Sequence, residues 1–250
     1  MTEGNHLDNG GMEQIMPSRR KFLAGSAALL AGGALMAVPG VAKAHTTDDP
    51  PSDIDMLNFA LTLERLEAIF YRRILNWFGE KEFESANIFD GLGGYLRRRA
   101  YENFQRISRH EDTHVQTLVD VIQSLGGQPV PRASYNFGVT NVASAVRVAQ
   151  LLENTGVTAY DGAIAHIESA ELLRAGATIA TVEARHASYL NLLNRTSPFP
   201  AAFDDPVAPR KICRTVDDLF ITEAPEPYGP YESLEAFCNR LPRDTLPSGG

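Results

Sequence analysis

The sequence predicts an all-α chain: a four-helix bundle of two helical hairpins joined by one long crossover, with a proline-rich C-terminal tail. Three observations carry this. Four long segments between residues 54 and 194 place apolar side chains at steps of three and four. Nothing in that interval alternates with period two for long enough to make a strand. The second and third segments are separated by a stretch too rich in proline and glycine to be helical and too long for a tight turn.

The first helix is expected from Ile54 to about Phe78. Leu57, Leu61, Ala68, Tyr71, Leu75 and Phe78 form one row, and Glu64 lies in it. Phe59, Leu63, Leu66 and Phe70 line an adjacent face, so more than half the girth is apolar, as in a buried bundle helix. The segment from Gly79 to Gly94 is charged and carries glycines, which predicts a loop or a short helix. The second long helix is expected from about Leu96 to Leu125, with Phe104, Ser108, Glu111, Val115, Leu118, Ile122 and Leu125 in its row and His114 beside it. Gly126-Gly127 stops it, and Pro129 and Pro131 prevent resumption. The stretch from Gly126 to Thr140 can run the length of a bundle at roughly 3.3 Å per residue.

The third helix is expected from about Asn141 to Ile167, its row running through Val142, Ala145, Ala149, Leu152/Glu153, Gly156, Tyr160, Ala163 and Ile167. The fourth runs from about Ser169 to Asn194, through Leu172, Gly176, Ile179, Glu183, His186, Leu190 and Leu193. Nine of the fifteen prolines then fall between Pro198 and Pro247. That tail is expected to hold only short helices, such as one near Tyr231 to Arg240, and to drape over the bundle.

Residues 1–44 read as an address. Ser18-Arg19-Arg20-Lys21-Phe22-Leu23 precedes a Gly/Ala-rich, mildly apolar run that closes on Ala42-Lys43-Ala44, a small-x-small cleavage site. The paired arginines resemble the twin-arginine export signal. An uncleaved membrane anchor is the alternative. The expected division is therefore 1–44 signal, 45–195 bundle and 196–250 extension, with the mature protein periplasmic or secreted. No apolar run after residue 50 reaches the roughly 18 residues of a membrane span. The net charge of −8 argues against a nucleic-acid partner. Two cysteines, Cys213 and Cys238, are too few for a zinc finger or a redox pair of that spacing. In an oxidising compartment they could pair, which the sequence alone leaves open.

The chemistry lies in the inward rows. Glu111-Asp112-Thr113-His114 and Glu183-Ala184-Arg185-His186 are both Glu-x-x-His, and residues three apart share a helix face. With fifteen Glu and five His after residue 44, chance yields fewer than one such match. The first and third helices add one inward glutamate each, Glu64 and Glu153, followed seven residues later by Tyr71 and Tyr160. Each half of the chain thus reads Glu-x6-Tyr, then Glu-x-x-His: a weak internal repeat with the two-fold character of a dinuclear centre. Four carboxylates in apolar rows each cost several kcal/mol in desolvation unless compensated. Two divalent cations would balance them, and two imidazoles added to carboxylates suit iron or manganese. Glu67, one turn from Glu64, is the alternative ligand on the first helix. His110 points about 100° from Glu111, toward a supporting or surface role. His166 is expected at the surface or in a cap, Arg97-Arg98-Arg99 in a solvated helix start, and Trp77 in the core. Tyr71 and Tyr160 could be redox-active, could donate hydrogen bonds to the ligands, or could be core aromatics.

This arrangement resembles the ferritin-like superfamily of dinuclear carboxylate proteins. More narrowly, Asp55-Met56-Leu57-Asn58-Phe59-Ala60-Leu61 with Leu63-Glu64-x-Leu66-Glu67-Ala68 and Phe70-Tyr71 resembles exported ferritin-like domains related to desiccation and stress proteins. The resemblance covers about residues 53–195. It implies two Fe or Mn ions held by Glu64, Glu111, His114, Glu153, Glu183 and His186, with Glu111 and Glu183 bridging. It also implies chemistry with oxygen or peroxide, ferroxidase- or peroxidase-like, in stress protection. A non-catalytic desiccation protein with a structural or vestigial metal, and a manganese-catalase-like activity, are the alternatives. The tail and leader depart from cage-forming ferritins; assembly into a homo-oligomer stays open.

Overall fold

The computed structural model describes residues 50–246. The export signal expected at 1–44 lies outside the described residues. Helix α1 (Asp53–Trp77) opens on a capping box: Ser52 Oγ accepts from Asp55 N, and the Asp55 carboxylate accepts from Ser52 N at 2.7 Å. Asp53 and Asp55 also place negative charge against the helix N-terminus. A six-residue helix α2 (Glu80–Ser85) and a 3-10 turn (Asn87–Phe89) follow, folding Phe83 and Phe89 into the core as a stacked pair. Helix α3 (Gly94–Ser124) ends where Gly126 takes a φ of +77°, the left-handed conformation that closes helices.

Helix α4 (Val142–Ile164) starts from an Asn141–Ser144 capping box, and α5 (Ala170–Leu193) from Ser169. The crossover between α3 and α4 runs back along the bundle, latched by a fully buried amide. Asn58 Oδ1 accepts from Val130 N at 2.8 Å, and Asn58 Nδ2 donates to Gln128 O at 3.2 Å. The hairpins α1/α3 and α4/α5 pack across one apolar core.

Three expectations change. The crossover carries a two-residue strand, β1 (Ser134–Tyr135), which pairs antiparallel with β2 (Ile221–Glu223) from the tail. It is too short for any alternation to show in the sequence. The tail also holds a twelve-residue helix, α6 (Pro209–Phe220), besides the expected short one, α7 (Leu234–Arg240). Pro209 begins α6 rather than preventing it, because the first turn of a helix needs no N–H from that position. Trp77, expected in the core, is 51% exposed, at the last residue of α1.

The tail belongs to the same compact unit as the bundle. Tyr228, Phe237 and Leu241 are fully buried in the common core. Asp55 on α1 accepts from Tyr231 Oη at 2.7 Å and pairs with Arg240 at 3.2 Å. A Cys213–Cys238 disulfide joins α6 to α7. Among the described residues no helix is long and apolar enough to cross a membrane.

Candidate metal centre

Each helix of the bundle delivers what its row places inward: Glu64 from α1, Glu111 and His114 from α3, Glu153 from α4, Glu183 and His186 from α5. All four glutamates are fully buried, and the histidines nearly so. The six side chains form two overlapping groups. Glu64, Glu111, His114 and Glu183 can each offer one ligand atom within 4.8 Å of the others; so can Glu111, Glu153, Glu183 and His186.

Glu111 and Glu183 belong to both groups, and their oxygens are divided between the two imidazoles. Glu111 Oε2 is 3.2 Å from His114 Nδ1, and Oε1 is 3.1 Å from His186 Nδ1. Glu183 Oε1 is 3.2 Å from His114 Nδ1, and Oε2 is 4.0 Å from His186 Nδ1. Glu64 meets only His114, at 3.1 Å, and Glu153 only His186, at 3.1 Å. Two shared carboxylates in the middle and one terminal carboxylate and imidazole on each side make a pseudo-two-fold cradle for two cations.

The tyrosines cross between hairpins. Tyr71 Oη donates to Glu153 Oε1 at 2.5 Å, and Tyr160 Oη donates to Glu64 Oε1 at 2.6 Å. Each terminal glutamate thereby has one oxygen fixed by a phenol and the other turned to its histidine. His110 also joins. Its Nδ1 lies 2.9 Å from His186 Nε2, and the rings stack at 5.2 Å. It supports His186 from behind. His166 reaches Asp244 O at 3.0 Å, away from the cluster. Arg97 and Arg99 pair with Asp90 and Glu102 at the start of α3. Glu67 falls outside both four-residue groups, yet it is 2% exposed.

The electrostatics show what the cradle lacks. Burial, reinforced by neighbouring carboxylates, raises Glu111 to about 7, although the two histidines beside it act to lower it. Burial followed by the charges of Glu111, Glu153 and Glu64 pushes Glu183 well above the carboxylate range. For Glu64 burial acts upward, but the charge and hydrogen bond of His114 outweigh it and hold the carboxyl below its usual value. Burial acts to lower both histidines. The charge of Glu64 overrides this at His114, and that of Glu153 raises His186 to about 11. Burial and the carboxylates they touch raise both phenols, so Tyr71 and Tyr160 stay protonated donors. Glu111 Oε1 and both oxygens of Glu183 have no hydrogen-bond partner. They sit close to the imidazole nitrogens but out of line with the N–H directions. Buried carboxylate oxygens without donors are what a cation would satisfy. A set of four carboxylates and two imidazoles fits a dinuclear metal site.

The model of the ferritin-like domain family matches residues 52–195. The chain belongs to the ferritin-like family. The match begins at the N-cap of α1 and ends just after α5, so it spans the four helices that carry the cluster. No curated protein matches the chain. The tail lies beyond the ferritin-like domain.

Sequence reasoning did not give His110 its place beside His186. The only signal available was its position next to Glu111 on the helix that carries the first Glu-x-x-His.

Proposed function

We propose that this ferritin-like protein is exported, holds two iron or manganese ions in the cradle, and reacts there with dioxygen or peroxide in stress protection. The observation that carries the reading is the pair of shared, donor-starved carboxylates, Glu111 and Glu183, between two terminal Glu/His pairs. Glu64 and His114 would hold one ion, Glu153 and His186 the other, and Glu111 with Glu183 would bridge. The bound pair would supply a two-electron couple, each ion passing between the +2 and +3 states.

The remaining chemistry belongs to the chain. Tyr160 and Tyr71 orient Glu64 and Glu153 so that one oxygen of each faces the centre. Complete burial of the four glutamates excludes bulk water and strengthens every interaction inside. An apolar cavity of about 60 Å³ approaches from one side, between Met56, Phe59, Leu63, Leu118, Ile179 and Tyr160. It ends on the phenol that holds Glu64. Its walls offer water almost no partners, so they suit an apolar diatomic better than peroxide. This favours dioxygen as the oxidant. Export is supported by the Arg19-Arg20 signal pattern and by the Cys213–Cys238 bridge, which persists in oxidising compartments.

The test is metal content of protein purified from the periplasm, wild type beside the double variant Glu111→Ala/His114→Ala, followed by oxygen- and peroxide-consumption assays. Near two iron or manganese ions per chain, lost in the variant, with oxygen consumed by the reduced protein, is expected. Two ions with no turnover would leave a structural metal, and rapid peroxide disproportionation by a manganese form would favour the catalase-like alternative. No metal after anaerobic loading would end the oxidoreductase reading.

A further inference from the structure

Between the repeated Glu and Tyr, one buried carboxylate of the first half has no counterpart in the second. Glu64 corresponds to Glu153 and Tyr71 to Tyr160, but the residue three after Glu64 is Glu67, whereas the residue three after Glu153 is Gly156. The structure sets these two unlike positions against each other. A Cβ on Gly156 would stand 3.4 Å from Glu67 Oε1 and 3.3 Å from Glu183 Oε2. The glycine therefore leaves a gap with a carboxylate on either side, and one of them is the Glu183 whose oxygens lack any hydrogen-bond donor.

Glu67 is 2% exposed and makes no hydrogen bond or ion pair among the described residues. It faces a second cavity, distinct from the apolar one, of about 30 Å³ between α1, α4 and α6. Most of that lining is apolar too, from leucines, Val216 and Phe220; its polar groups are Glu67, Thr155 and Thr215. Thr155 spends its proton on Leu151 O at 2.7 Å, which leaves its oxygen able only to accept. Thr215, Leu151 and Leu219 at the outer end are exposed, so the cavity opens at the surface. Its volume exceeds the roughly 10–15 Å³ that one water needs. A carboxylate so far from bulk water costs several kcal/mol unless water or a cation meets it in the cavity.

We propose that Glu67 is an entry station for divalent cations: a partly hydrated ion enters between α4 and α6, is held by Glu67 beside the threonine oxygens, and crosses the gap at Gly156 to Glu183. The inference rests on the two-metal reading of the cradle. An anion is unsuited to this route, since every charged group along it is acidic. Burial and the nearby carboxylates raise Glu67 well above the ordinary range, the direction that a cation held beside it would reverse.

The experiment mixes metal-free protein rapidly with cobalt(II) and follows the visible absorption of bound cobalt, for wild type, Glu67→Gln and Gly156→Ala. Loading slowed by at least about tenfold in both variants is expected, equivalent to about 1.4 kcal/mol in the barrier to entry. The final spectrum and two cobalt ions per chain should be unchanged. A wild-type loading rate in either variant overturns the route. A final content of one ion per chain, or an altered spectrum, in Glu67→Gln makes Glu67 a ligand of the pair and overturns the station. If wild type takes up no cobalt at all, the two-metal reading itself fails, an outcome distinct from the other two.

Discussion

Stripped of metal, the protein should lose stability as pH rises through the range where most proteins are steadiest. Glu111 carries the effect most clearly. Burial raises its carboxyl from 4.5 to about 7 in the folded protein, so the folded state binds a proton that the unfolded chain has released. Its contribution is fully present below about pH 4.5 and is lost as pH rises through about 7. Integrated between about pH 5 and about pH 7.5, a shift of that size removes about 2 kcal/mol. For a domain of this size that lowers the midpoint of thermal unfolding by about 4–8 °C. Glu183, raised further by the same burial, and His186, raised to about 11, push in the same direction at higher pH. Glu64, held below its usual value, opposes them only in acid, outside this window. The assay is calorimetry of chelator-treated protein at the two pH values, beside protein reloaded with manganese(II). Bound cations replace the protons, so the reloaded protein should gain stability with pH instead. A flat or rising midpoint in the metal-free protein would refute the claim that Glu111 and Glu183 are carboxylates awaiting cations.

Replacing both Cys213 and Cys238 by alanine should cost about 3.5 kcal/mol by chain entropy for a separation of 25 residues. Urea unfolding would show it, and an unchanged midpoint would mean that the tail is held by Asp55, Tyr231 and Arg240 alone. Tyr71→Phe and Tyr160→Phe each strip one donor from a terminal glutamate, and metal affinity by calorimetric titration should fall about tenfold to a hundredfold. Unchanged affinity with lost turnover would instead make the phenols electron carriers.

How much of this was written in the sequence follows from how each feature is encoded. The bundle and its inward residues are legible because a helical row repeats a local rule over six or seven turns. Glu111 and His114 share a face by spacing alone, and so do Glu183 and His186. Features that depend on contact between distant segments are not legible in this way. β1 and β2 have two and three residues, and their pairing is set by where the crossover and the tail meet. α6 was hidden because its first residue is a proline, which reads as a breaker unless the helix is known to start there.

The rotation of a helix about its own axis is the hardest quantity to read when burial does not fix it. α1 is buried nearly all round, so in the sequence only the inward row and the seven-residue step to Tyr71 favour Glu64 over Glu67. The packing of α4 against α1 separates them fully. It brings Tyr160 to Glu64 and the bare backbone of Gly156 to Glu67. For His110 the 100° offset from Glu111 and a supporting or surface role are legible, but the partner, His186 on α5, is not. In a pseudo-symmetric bundle the repeat marks the residues the two halves must share. Where the halves differ beside those residues, as at Glu67 opposite Gly156, each is free to take a task of its own.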